Sequence, residues 1–202
     1  MDKLYMILLC LMIVPILICI KYSRKIKSDV ASSIVKCLIF AIVTILSNGL
    51  SAFSGNETFS YIMEALYRFS FDLMLIYVLQ YSQQYTRVFH EVSPFKKGCF
   101  IIAYLDGILL FLNIIFHNVF TIETVRFPNF DMYHVADKSI IFYFHYVFAY
   151  GLVVCIIASF IIKIIQIPDF YRKKYLPILV LICVITVSKF ICGISEFPID
   201  VS

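Results

Sequence analysis

Six runs of mainly apolar residues divide the chain, and short polar segments separate them. A helix that crosses a membrane needs about 20 predominantly apolar residues. Each run is close to that length and carries few charges, so each predicts a transmembrane helix. The runs cover residues 4–20, 34–53, 59–79, 98–116, 139–165 and 176–197. The pattern predicts an all-α integral membrane helical bundle that forms a single domain over residues 1–202.

The segment between the fourth and fifth runs, residues 118–138, is the one extended polar stretch. Residues 121–127 and 130–135 partly alternate apolar and polar side chains, and Pro128-Asn129 stands between them. Alternation is typical of β-strands, and Pro-Asn favours a turn. We therefore predict a short β-hairpin over the outer mouth of the bundle. An irregular loop is the alternative, because a lone hairpin is only marginally stable in water.

Composition supports the membrane interpretation. The chain is 62% hydrophobic and 15% charged, whereas soluble domains carry about 45–50% apolar and about 25% charged residues. This excludes an ordinary soluble domain and a disordered chain. The net charge of +4 does not indicate nucleic-acid binding, because Lys and Arg cluster between the apolar runs. The seven cysteines show no metal-site spacing, and we interpret them as packing residues.

The basic residues predict the orientation of the chain. Of the 17 Lys and Arg residues, 12 follow the first, third and fifth runs. These segments are cytoplasmic by the positive-inside rule, so we expect the N-terminus to lie outside. The basic cluster at residues 21–27 follows the first run rather than preceding it, which indicates an uncleaved anchor. Six spans would end outside, so we expect a seventh span and a cytoplasmic module beyond residue 202.

Charged residues inside the third run are the strongest functional signal. Glu64, Arg68 and Asp72 are four residues apart, which places them on one helix face. A charge near the bilayer centre costs about 2.5–3.5 kcal/mol, so it usually faces the bundle and finds a partner. Arg68 can pair with either carboxylate. The face predicts either a polar ligand pocket with a coupling network, or a salt-bridge cluster that only fixes packing.

Polar residues in the other runs can join this face. Asp106 and Asn113 are seven residues apart in the fourth run and share a face. Lys189 in the sixth run is a plausible counter-ion for the acidic side chains, with snorkelling to the outer surface as the alternative. His145 in the fifth run is either a hydrogen-bonded core histidine or a pH-sensitive ligand group. The candidate ligand-binding or coupling residues are Glu64, Arg68, Asp72, Asp106, Asn113, His145 and Lys189.

Enzyme signatures are absent from the sequence. There is no HExxH motif, no Gly-rich phosphate loop and no nucleophile elbow. Asp72 and Asp106 lie in apolar runs, but their flanking residues give little support for an aspartyl intramembrane protease. We therefore expect no enzymatic activity, no catalytic residues, no cofactor and no metal.

Several features resemble one known family. The third run ends in an aromatic segment, residues 77–85, and the fifth begins with a tyrosine-rich segment, residues 141–150. A hairpin-like loop joins the fourth and fifth runs, and a basic turn at residues 171–174 precedes the sixth. This layout resembles the N-terminal seven-transmembrane region of bacterial membrane histidine kinases, which also precedes GGDEF diguanylate cyclase domains. The likeness extends over the whole chain, but the sequence departs from it in having no tryptophan and only six runs.

The resemblance implies a signal-sensing input module in the membrane. Such a module regulates a C-terminal cytoplasmic effector, either a histidine kinase or a diguanylate cyclase. The expected partners are membrane lipids, a second copy in a homodimer and an unidentified extracytoplasmic or membrane ligand, but no nucleic acid. A small multi-span transporter or channel is the alternative, because intramembrane charges also mark ion paths.

Overall fold

The computed structural model describes residues 2–52, 56–88, 93–127 and 130–194. The helices are α1 (Asp2–Ser23), α2 (Asp29–Ala52), α3 (Glu57–Thr86), α4 (Ser93–Phe116), α5 (Ile140–Gln166) and α6 (Asp169–Ile194). Strands β1 (Phe120–Phe127) and β2 (Phe130–Lys138) lie between α4 and α5 and pair antiparallel. The predicted helical bundle with a hairpin between its fourth and fifth helices is therefore confirmed. The predicted turn, Pro128-Asn129, lies outside the described residues.

Among the described residues, three stretches of helix are long and apolar enough to cross a membrane. They are Asp29–Ser51 in α2, Pro94–Phe116 in α4 and Ile140–Gln166 in α5. The helix α3 is less apolar because it carries several charged and polar residues. The predicted count of six spans goes beyond this finding.

Small polar residues line the contact between α2 and α3. The Ser33 hydroxyl donates to Gln84 Oε1 at 2.9 Å, and the Ser60 hydroxyl donates to the Ser51 carbonyl at 2.9 Å. These two contacts lie at opposite ends of the helix pair, so α2 and α3 are antiparallel. Small Ser and Thr side chains let helices approach closely and hydrogen-bond across the interface.

The helix α3 is the centre of the bundle. It packs against α2, α4 and α5, and it also contacts β1. Tyr77 lies beside Phe100 with ring centroids 5.6 Å apart, and Phe69 lies beside Phe111 at 6.3 Å, so α4 runs antiparallel to α3. The helix α5 runs parallel to α3, and α6 packs against α5. The short connections after α1, α3 and α5 consequently lie at the end of the bundle opposite the hairpin.

The distribution of polar and apolar side chains is inverted relative to a soluble protein. Buried positions include Glu64, Arg68, Asp72 and Asp106. Large apolar side chains that are more than half exposed cover the outside of α1, α4, α5 and α6, among them Leu11, Val14, Ile115, Val147, Ile165 and Leu181. Exposed apolar patches of this extent are rare on soluble monomers and are typical of a surface that contacts lipid.

The hairpin is attached to the bundle through its base. Val119, Phe120 and Ile122 are buried with residues of α3, α4 and α5. The backbone N–H of Ile122 donates to the Tyr61 hydroxyl at 3.0 Å, and the Phe120 ring lies 5.7 Å from the Tyr61 ring. An isolated hairpin is only marginally stable in water. Burial of the hairpin base therefore stabilises the pairing of the two strands.

Two helix boundaries differ from the predicted spans by seven residues. The helix α3 continues beyond residue 79 to Thr86 and ends at Arg87, which has a φ of 58°. The helix α6 begins at Asp169 rather than 176, so the predicted basic turn at residues 171–174 is helical. An acidic residue is favourable at a helix N-terminus, and Asp169 also pairs with Arg172 at 2.7 Å. Apolar runs indicate the apolar part of a helix but not its more polar ends.

The close packing of α3 against α4 depends on Gly107. A methyl group at this position would lie 2.5 Å from Cδ2 of Phe69, whereas one at Gly151 would meet nothing within 4 Å. Overpacking costs about 1–3 kcal/mol, which outweighs the gain of about 1 kcal/mol from alanine's helix propensity. We predict that Gly107→Ala lowers the thermal unfolding temperature in detergent, measured by circular dichroism, and that Gly151→Ala does not. Adding Phe69→Leu to Gly107→Ala should restore it; equal melting of both glycine variants would contradict the packing.

Candidate functional site

The charged residues of α3 are buried at the centre of the bundle. The exposed fractions of Glu64, Arg68 and Asp72 are 7%, 4% and 0%. Their spacing of four places them on one face, as the sequence predicts, and this face turns toward α4, α5 and the hairpin. They nevertheless form two groups rather than one continuous ladder.

The first group is an ion pair inside an aromatic cage. Arg68 Nη2 donates to Glu64 Oε1, and the Ser51 hydroxyl donates to Glu64 Oε2 at 3.4 Å. Four rings surround the guanidinium carbon at centroid distances of 4.2–5.9 Å, from Phe142, Tyr67, Tyr146 and Phe120. A desolvated cation–π contact is worth about 2 kcal/mol. The cage therefore helps to offset the cost of burying the arginine.

The second group is a triad from three different helices. His145 Nδ1 of α5 lies 2.8 Å from Asp106 Oδ2 of α4 and 3.2 Å from Asp72 Oδ2 of α3. The three residues are at most 3% exposed. Neither carboxylate oxygen of Asp72 has a geometrically good hydrogen bond within the described part of the chain. The triad joins α3, α4 and α5 at a single point.

The expected pairing of Arg68 with Asp72 is not observed. Among the described residues, the ion pair of Arg68 is with Glu64, and Asp72 contacts His145 instead. Arg68 is held by Glu64 and the surrounding rings, while its Nε has no hydrogen-bond partner within the described part of the chain. The α5 imidazole reaches Asp72 from the neighbouring helix. The α3 face is therefore divided between one partner on its own helix and one partner on α5.

Asn113 does not join this polar core within the described part of the chain. The Asn113 amide donates to the Phe120 carbonyl at 2.9 Å and accepts from the backbone N–H groups of Val119 at 2.6 Å and Phe120 at 3.3 Å. Asn113 thus attaches the hairpin base to α4 instead of meeting the α3 charges. The side chain of Lys189 lies outside the described residues.

A cavity of about 530 Å³ opens beside both groups. Pockets that bind small molecules are typically about 300–1,000 Å³. The wall consists of side chains from α3, α5 and α6, and it includes Arg68 and His145. Along α3 the lining extends from Tyr67 to Val78, a rise of about 16 Å. The polar residues lie at the end nearer the hairpin, and the rest of the wall is mainly apolar.

The aromatic cage lay beyond the sequence predictions. Phe142 and Tyr146 belong to the tyrosine-rich start of α5, which stands out in the sequence, but their contact with Arg68 depends on how α5 packs against α3. Phe120 belongs to a strand that follows a polar loop. No local pattern connects it to a charge 52 positions earlier.

Comparisons with protein families and with curated proteins identify no relative of this chain. No protein-family model matches the chain, and a search of curated proteins finds no significant match. The two buried polar groups and the cavity are therefore the main evidence for a function.

The ion pair in the aromatic cage has a direct stability test. Arg68→Met leaves the Glu64 carboxylate buried without its counter-charge, and breaking a buried pair costs about 3–5 kcal/mol. Arg68→Met should lower the unfolding temperature strongly, and Glu64→Gln added to it should recover most of the loss. Thermal unfolding in detergent provides the measurement. If the double variant is no more stable than the single one, the loss comes from packing rather than from charge.

The hydrogen bonds of Asn113 predict a local effect on the hairpin. Asn113→Ala removes three hydrogen bonds and leaves buried backbone groups of Val119 and Phe120 unpaired, at about 1–3 kcal/mol for each group. Amide hydrogen exchange should accelerate in β1 and β2, while α2 and α3 change little. The matched control is Asn118→Ala, because Asn118 is exposed. Unchanged hairpin exchange in Asn113→Ala would contradict the anchoring role.

Proposed function

We propose that this chain is a membrane-embedded signal-sensing module that binds a small, mainly apolar molecule in the cavity between α3, α5 and α6. The observation that carries the proposal is that Arg68 and His145 line the cavity and also belong to the two buried polar groups. A molecule in the cavity would touch the side chains that connect the helices.

The membrane orientation is part of this proposal. The apolar outer surface and the three apolar helices support embedding in lipid. We propose that all six helices cross a bacterial plasma membrane. The basic segments after α1, α3 and α5 lie at the end opposite the hairpin, which makes that end cytoplasmic by the positive-inside rule. The N-terminus and the hairpin are then outside.

The cavity suggests the kind of molecule that is sensed. Its length along α3 suits an elongated molecule, and its wall is mostly apolar. Tyr146, His145 and Arg68 supply hydrogen-bonding groups at the hairpin end. The proposed signal is therefore an amphipathic compound with a hydrocarbon body and one small polar end, which reaches the cavity from the lipid or from outside.

A route for signal transmission runs from the cavity to the hairpin and to α4. Phe120 of β1 and Phe142 of α5 both contact the guanidinium of Arg68. His145 connects α5 to α3 and α4 through the two aspartates. A ligand shifts a protein between two states only by binding one state more tightly. Contact with Arg68 or His145 provides that difference, because either contact changes how three helices are held together.

The output side of the proposal rests on the resemblance to membrane sensor kinases. This resemblance implies a homodimer that regulates a cytoplasmic histidine kinase or diguanylate cyclase module. A small transporter or channel is the second candidate, because the buried charges of α3 would also suit an ion path.

The sensing role can be tested with 1-decanol as a probe, since it has one hydroxyl on an apolar chain. In nanodiscs, decanol should slow amide exchange at the hairpin base, at Val119 and Ile122, because the cavity and this base share the contacts of Arg68. Ala149→Phe should abolish the effect, because Ala149 lines the cavity. Gly151→Phe is the matched control, because the Gly151 position is open. An identical decanol response in wild type and Ala149→Phe would place the effect outside the cavity.

The same preparation distinguishes the second candidate. Proteoliposomes that contain the chain should hold a proton gradient, followed with a pH-sensitive dye, as long as empty liposomes do. Rapid loss of the gradient that Asp72→Asn prevents would favour an ion path over a sensor.

A further inference from the structure

We propose that Asp72, Asp106 and His145 form a binding site for one divalent metal ion, with Zn²⁺ as the best match. The ligand atoms are one carboxylate oxygen from α3, one from α4 and the imidazole Nδ1 from α5. They lie within 4.8 Å of one another, and all three residues are buried. This proposal does not rest on the cavity taking a signal molecule.

The charge of the triad favours a bound cation. With both carboxylates ionised and the imidazole neutral, the triad would carry two negative charges in a water-poor interior. Arg68 belongs to the same polar core, but its ion-pair partner is Glu64. A buried charge without compensation is expensive. One divalent cation neutralises the triad, whereas a proton on His145 compensates only one of the two charges.

The carboxylate of Asp72 is incompletely satisfied. This side chain is fully buried, its Oδ2 has only the His145 contact at 3.2 Å, and its Oδ1 has no hydrogen-bond donor within the described part of the chain. Buried polar atoms are almost always paired, so an exception requires an explanation. A metal ion explains it, because coordination uses the lone pairs of the oxygen and needs no donor.

The distances between the ligand atoms also suit a zinc ion. Ligand atoms about 2.0–2.1 Å from a tetrahedral zinc ion are separated from one another by about 3.3 Å. His145 Nδ1 lies 2.8 Å and 3.2 Å from the two aspartate oxygens. A movement of about 0.5 Å or less therefore brings these pairs to zinc spacing. Zinc binds both His nitrogen and Asp oxygen, and three protein ligands with an open fourth position are the arrangement of its catalytic sites.

The sequence contains no metal-binding motif because each ligand comes from a different helix. Residues 72, 106 and 145 are more than 30 positions apart, so no short spacing marks them. Packing of α3 between α4 and α5 brings them together. A bound ion would join these three helices more firmly than the present pair of contacts.

The test is metal binding by the full chain in detergent. The protein is stripped with EDTA and titrated with Zn²⁺ by calorimetry, and the bound metal is counted by mass spectrometry. We expect one tight site in wild type and a loss of at least about tenfold in affinity for each of Asp72→Asn, Asp106→Asn and His145→Gln. His134→Gln on the hairpin is the matched control and should bind as wild type does.

Co²⁺ provides a second readout that does not depend on variants. A site of nitrogen and oxygen ligands gives visible absorption bands without the near-ultraviolet charge-transfer bands of thiolate ligands. This separates the triad from the cysteines of the chain. Failure of wild type to bind Zn²⁺, thiolate bands with Co²⁺, or binding that all three triad substitutions leave unchanged would each overturn the proposal. The number of Zn²⁺ ions bound per wild-type chain and the Co²⁺ spectrum test the proposal even if a variant fails to fold.

Discussion

The arrangement of this bundle depends on the burial of three charged side chains on α3. Glu64, Arg68 and Asp72 lie away from water in a chain whose outer surface is apolar. A charge in such an environment must find a partner or lose its ionisation. The partners lie on α2, α5 and β1, and His145 connects them to Asp106 of α4, so satisfying α3 requires all of these elements in place. This requirement explains why the least apolar of the long helices is the central one.

Small and aromatic side chains then determine how the neighbouring helices approach α3. On the α2 side, Thr44 and Ser70 share a hydrogen bond of 3.0 Å, which allows close contact between helices. On the α4 side, Gly107 leaves space for the Phe69 ring. On the α5 side, Phe142 covers the guanidinium of Arg68. Each interface thus uses a different means of accommodating the same polar helix.

The sequence predicts the helices better than the site, for a physical reason. Run length and apolar content reflect the local environment of a single helix, so the helices and the hairpin can be read from the chain. A spacing of four likewise shows that Arg68 and Asp72 share a face. The spacing cannot show that Asp72 contacts His145, because that contact depends on how α5 is rotated about its axis and where it lies along α3. Asn113 illustrates the same limit, since its partners are backbone groups of a hairpin base rather than the charges it could have met.

The position of Arg68 explains why a change in the cavity would be felt at the hairpin. The guanidinium contacts Phe120 of the hairpin base and Phe142 of α5, and its own helix carries Asp72 one turn further along. A shift of α5 would therefore alter the cage and the triad together, because Phe142 and His145 lie on adjacent turns of that helix. Packed interiors resist small continuous deformations and respond by changing between discrete arrangements. A bundle whose charged contacts converge on one helix has the connectivity that such a change requires.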